Sequence, residues 1–330
     1  MNRSRALFVI ALLAVAALAS LLLALAAGSV ALAPGEVWAA LFGQGEGMAV
    51  DVVRSLRLPR ALAAFACGGL LALAGALMQV LLRNPLADPY VLGISGGAAV
   101  GALAAMMLGV GANFGLEAAA FTGALAAMWL VFGLARGDGS WTQTRLLLTG
   151  VIVAAGCGAA VALMLSLAPE DRLRGMLFWL MGDASQAGDP LPALLTLAVG
   201  LAAALFFARE LNLLARGPLL AATLGANVAR LRLLLYFLAS LLTAAAVTTV
   251  GSVGFIGLVV PHLVRLALGN DQRLLLPAAA LAGGALLTLA DTLARSVIAP
   301  QQLPVGVLTA LIGVPVFLFL LARAPRMEQA

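Results

Sequence analysis

The stretch LLRNPLADPYVLGISGGAAVGA, residues 81–102, decides how this chain is read. Within seven positions it carries Arg83, Asn84, Pro85, Asp88 and Pro89, yet long apolar runs lie on either side of it. Proline in a helix interior removes a hydrogen bond and clashes with the preceding turn, and it pushes the residue before it toward extended backbone. The stretch therefore reads as a polar turn that ends one helix before another begins. Gly93, Gly96, Gly97 and Gly101 give the second helix a face on which neighbours can approach closely.

Outward from this turn the chain is strongly apolar. Of its 330 residues, 63% are hydrophobic and 10% charged, against roughly 25% charged in an ordinary soluble domain. That is the composition of an integral membrane protein. Apolar runs bounded by charge, Gly or Pro fall near residues 6–32, 61–81, 91–109, 115–135, 144–168, 191–208, 231–250, 254–268, 274–298 and 305–323. The expected fold is an all-α polytopic bundle of ten transmembrane helices in a single domain, 1–330. The first run follows Arg3 and Arg5 and ends in an ALA tripeptide, as a secretory signal would. It exceeds the roughly 7–15 residues of a signal's apolar region, so it reads as a retained helix.

All 19 basic residues are arginine. A Walker A loop requires a lysine, so any ATP and Mg that drive this protein bind another subunit. Placing both termini in the cytoplasm leaves Arg54, Arg57, Arg60, Arg172, Arg174 and Arg295 outside and the other 13 inside, as the positive-inside bias favours. Basic residues that punctuate apolar runs are not the solvated basic face of a nucleic-acid binder. Cys67 and Cys157 lie in separate apolar runs without metal-ligand spacing, and no metal site is expected.

Between the sixth and seventh runs lies RELNLLARGPLLAATLGANVARLR, residues 209–232, too polar to span a membrane. Gly217 and Pro218 can start a short helix there, Leu219, Leu220 and Leu224 share a face, and Gly225 and Asn227 can stop it. A short helix with one apolar face between Arg216 and Arg230 suits a lever for a soluble partner; a helix lying in the headgroups is the alternative.

RLPRALAAFACGGLLALAGALMQVLLRNPLADPYVLGISGGAAVGA, the LNLL…LG loop, VGSVGFIGLVVPHLVRLALGNDQRLLLP and LPVGVLTALIGVPVFLFLL together resemble the permease subunit of binding-protein-dependent ABC importers for iron chelates and cobalamin. The resemblance covers nearly all of residues 57–321 and implies the type II importer architecture. It implies a homodimer with the translocation path on its twofold axis, two cytoplasmic ATPase subunits and a periplasmic substrate-binding protein. It further implies that Arg57, Arg60 and Arg295 dock acidic residues of the binding protein. In the same way Arg216, Gly217, Leu219, Leu224, Gly225 and Arg230 couple to the ATPase, and Asn84, Leu86, Gln143 and Thr144 stand at the cytoplasmic gate. The cargo it implies is an iron siderophore first, then cobalamin or haem, carried across the inner membrane.

His262 in PHLVR invites a haem-ligand reading, but the motif fits a hydrogen-bonded structural histidine better. Asp291 and Arg295, four apart, can pair within one helix. Met176, Phe178, Trp179 and Met181 are candidates for the outer mouth of the path, with an interfacial aromatic anchor as the alternative. An ion-coupled secondary transporter needs intramembrane acids or broken-helix ion sites, and the acids here fall mostly in loops. An embedded enzyme lacks an evident nucleophile or metal cluster.

Overall fold

Each of the ten apolar runs coincides with one helix. The computed structural model describes residues 3–28, 32–44, 47–110, 114–136, 142–299 and 301–323. α1 (Arg3–Ala26) is followed by two short helices, α2 (Pro34–Phe42) and α3 (Met48–Asp51). α3 passes through a π-helical stretch, Val52–Arg57, into α4 (Leu58–Leu81). α5 (Ile94–Met107), α6 (Phe114–Ala135) and α7 (Gln143–Leu167) take the next three runs, and α8 (Glu170–Met181) is an extra helix after them. α9 (Leu191–Phe206) bends by 63° into α10 (Ala208–Arg216), which leads to α11 (Pro218–Thr223). α12 (Val228–Val250), α13 (Ile256–Leu268), α14 (Gln272–Ala294) and α15 (Val305–Arg323) follow. Six helical runs among the described residues are long and apolar enough to cross a membrane, seven if α9 and α10 form one bent span. α5, α13 and the apolar part of α15 are shorter.

Some boundaries move, for local reasons. The third helix begins at Ile94 rather than 91 because Pro89 opens a 3-10 turn, Pro89–Leu92, with Asp88 accepting a hydrogen bond from Tyr90 N. Gly93 then turns the chain at φ 74°, where a side chain is costly. Asn227, expected to stop the short helix after Gly217, instead starts α12: its Oδ1 accepts from Arg230 N at 3.0 Å. Residues 29–31 of the first run and the terminal Arg326 lie outside the described residues.

α4 is the centre of the bundle. Nineteen of its 24 residues are buried, and it packs on α14, α12, α13 and α9. Its small residues set the spacing: a Cβ at Gly75 would stand 1.8 Å from the Gly257 carbonyl oxygen of α13. At Gly97 a Cβ would meet Gly123 O of α6 at 2.4 Å, so the glycine face of the opening stretch is a packing face. In lipid no hydrophobic drive pulls helices together, and this proximity supplies dispersion contact instead.

Candidate functional site

Three regions hold the residues singled out above. The first is a cluster of arginines where α1, α4 and α14 meet. Arg57, at the end of the π-helical stretch, is 4% exposed and donates from Nη1 to Leu25 O at 2.8 Å and Ala26 O at 2.9 Å. Arg295, just past α14, is 8% exposed and donates from Nη2 to Ala24 O. Both thereby satisfy carbonyls that the last turn of α1 leaves without helical partners. Arg60 grips Asp291 and also donates from Nη1 to Gln302 Oε1 at 2.8 Å. Arg295 Nε stays 4.0 Å from Asp291, so Arg60 and not Arg295 holds the closest grip on that carboxylate. Arg57, Arg60 and Arg295 line one pocket of about 370 Å³ with Ser55, Ser185 and Gln302. Burial pushes the Arg295 guanidinium down to about 10; Asp291 opposes the drop, and Arg60 and Arg57 add to it.

The other arginines assigned outside are also engaged. Arg54 donates to Ala40 O and Leu41 O at the end of α2, and Arg172 to Met106 O and Met107 O at the end of α5. Arg174 lies over the Phe178 ring at 5.6 Å. Four of the six are thus C-terminal helix caps, a role that spacing alone did not reveal.

The second region is the turn of the opening stretch. Asn84 Oδ1 accepts from Leu86 N at 2.9 Å, an Asx turn, and Arg83 sits at φ 48°. Gln143 Nε2, at the start of α7, donates to Leu81 O at 2.7 Å and so ties α7 to the end of α4. Thr144, like Asn84 and Leu86, is exposed. Deeper in, Tyr90 Oη donates to Val253 O at 2.9 Å and accepts from Val253 N at 3.0 Å, while Ser95 Oγ lies 3.0 Å from Ser252 Oγ. This lock joins the turn to the segment before α13, where Phe255 holds φ 70°. Residues 88–95 show it only as an aromatic beside a proline, with no sign of its distant partner.

The third region is the polar segment between α9 and α12. α10 buries Ala208, Leu211 and Leu214 on one face, and α11 projects beyond it, with Leu219 80% and Leu224 59% exposed. Gly217 and Gly225 bracket α11 at φ 133° and 86°, and Arg216 and Arg230 flank it on the surface.

His262 Nδ1 is buried without a hydrogen-bond partner among the described residues, and Arg265 is three positions on in α13. Met176 and Trp179 of α8 are buried, leaving Phe178 and Met181 partly accessible. No group of three or more His, Cys, Asp or Glu able to hold a metal occurs among the described residues.

Residues 13–323 match the FecCD transport family. The chain is 42% identical over 272 residues to the cobalamin import system permease protein of Halobacterium salinarum, covering 82% of this chain and 73% of that one. It is 43% identical over 284 residues to the hemin transport system permease protein of Yersinia pestis, covering 82% of each. A solved structure described as an inward-facing metal-chelate type ABC transporter superposes with a TM-score of 0.83 at 30% identity, covering 97% of this chain and all of the other. With this match and the all-helical bundle, the chain belongs to the FecCD transport family as a multi-pass ABC importer permease.

Proposed function

We propose that this chain forms the membrane path of an ABC importer for a metal tetrapyrrole, cobalamin or haem, in preference to a ferric siderophore. The observation that carries this reading is the identity above 40% to permeases named for cobalamin and for hemin. Two copies form the path, two ATPase subunits bind at the cytoplasmic face, and a substrate-binding protein docks on the opposite face. Both termini are cytoplasmic and the membrane is the inner one.

The arginine pocket is the docking point. Two acidic lobes of the binding protein, one for each permease copy, bring carboxylates to the pocket that Arg57, Arg60 and Arg295 line, where guanidinium groups recognise carboxylates. On the other side, Leu219 and Leu224 seat in the ATPase, with Arg216, Gly217, Gly225 and Arg230 round them. Closure of the ATPase pair moves α10 and α11 and, through them, the bundle. Asn84, Leu86, Gln143 and Thr144 stand where the path narrows toward the cytoplasm.

Reconstitution in liposomes with the ATPase and binding protein tests this. Uptake of cobalamin or haem is expected only with internal ATP, and a ferric siderophore is not transported. Transport driven by a proton or sodium gradient without ATP would show an ion-coupled carrier instead.

A further inference from the structure

Two adjoining cavities lie where α1, α13 and α14 come together. The first, about 760 Å³, opens at the end of the bundle where α1 begins, and its polar wall is Arg5, Asn212, Arg216, Asn270 and Asp271. The second, about 330 Å³, is apolar and runs between Val9 and Leu13 of α1, Leu263 and Val264 of α13, and Ala282 and Leu286 of α14. Ala267 and Leu268 belong to both walls, so the two adjoin across these residues. Arg5, Val9 and Leu13 follow each other at four-residue spacing on one face of α1, each about 6 Å deeper than the last.

The polar cavity carries positive charge that the protein leaves open. Neither Arg5 nor Arg216 makes an ion pair among the described residues. Asp271, the one acid in the wall, already accepts from Asn212 Nδ2 at 2.9 Å and from Arg273 N at 3.1 Å as the cap of α14. Phe8 and Leu12, next to Val9 and Leu13 on α1, are exposed.

We propose that this is a binding site for an anionic phospholipid, with the headgroup phosphate between Arg5 and Arg216 and an acyl chain along Val9, Leu13, Leu263 and Leu286. A cationic pocket at the membrane surface adjoining an apolar groove matches a ligand with a charged head and a hydrocarbon tail. An acidic side chain of a soluble partner would use the pocket and leave the groove empty. The inference does not depend on the cargo, and it gives Arg216, at the rim of the proposed ATPase contact, to the lipid phosphate instead.

Native mass spectrometry of the full-length permease in detergent tests it, with palmitoyl-oleoyl phosphatidylglycerol and the matching phosphatidylcholine as probes. Phosphatidylglycerol is expected to be retained roughly tenfold better or more, and R5Q/R216Q to abolish that preference. A282W, which fills the groove, is expected to weaken retention with both arginines in place; if it does not elute as the parent does, V9W replaces it. Equal retention of the two lipids, or retention unchanged in both variants, overturns the proposal. Loss of ATPase subunits from R5Q/R216Q with lipid retention unchanged also overturns it and assigns the pocket to the ATPase contact.

Discussion

Arg60 holds Asp291 with two prongs, Nε 3.0 Å from Oδ2 and Nη2 2.8 Å from Oδ1, between residues 231 positions apart in the chain. The side chains are 13% and 2% exposed. Removing one partner of a buried pair leaves an uncompensated charge, at a cost of about 3–5 kcal/mol. Asp291→Ala is expected to lose that much unfolding stability in detergent, and R60M/D291L to recover most of it. A loss under about 1 kcal/mol for the single change would put the pair among ordinary exposed ion pairs.

Tyr90→Phe removes one hydroxyl and leaves both the N–H and the C=O of buried Val253 without that partner. Orphaned buried groups cost about 1–3 kcal/mol. Faster amide exchange at Val253 than in the parent is the readout, with the exchange of α6 unchanged.

Glycine substitutions separate close approach from mere composition. Gly75→Ala puts a methyl within 1.8 Å of a backbone oxygen that cannot swing away, so loss of the folded permease is expected. Gly133→Ala meets nothing within 4 Å and lies inside α6, where alanine gains up to about 1 kcal/mol. Equal yields of the two variants by fluorescence-detected size exclusion would contradict the packing described.

Burial pushes the Asp88 carboxyl up to about 6, while the hydrogen bond from Tyr90 N acts the other way. The folded chain then holds this proton more tightly than the unfolded chain, whose carboxyl titrates near 3.9. The stability it contributes is fully present below about pH 4 and is lost as pH rises through about 6. Asp88→Asn keeps the capping oxygen and removes the titration. Its melting temperature relative to the parent is therefore expected to rise across that window; parallel pH profiles would exclude it.

Leu224→Asp changes an exposed side chain, so stability should move by no more than about 0.5 kcal/mol. ATP-driven uptake in liposomes is expected to fall to background. Uptake at the parental rate would remove α11 from the coupling role.

Ten helices were legible because the bilayer imposes a length on each apolar run, and charge or proline marks both ends. The projecting α11 was legible for a related reason: a polar segment in such a chain has to leave the lipid. The partners of the arginines were not. Arg57 reaches back 32 residues and Arg60 forward 231, and nothing local encodes either distance. α8 has no clear sequence signal, because its short length and mixed polarity match neither a span nor a loop. Phe255 at φ 70° had no signal at all, since a bulky residue is the last expected in that conformation.

The guanidinium caps on α1 carry a mechanical consequence. α1 leans on α14, much of its outward flank is exposed, and its C-terminal end is tied to Arg57 before α4 and to Arg295 after α14. Arg60 and Asp291 rivet α4 to α14 at the same end. Parting these three helices there would break several charged hydrogen bonds at once. Separation of α1, α4 and α14 at this end is therefore expected to be resisted more strongly than parting of a purely apolar contact.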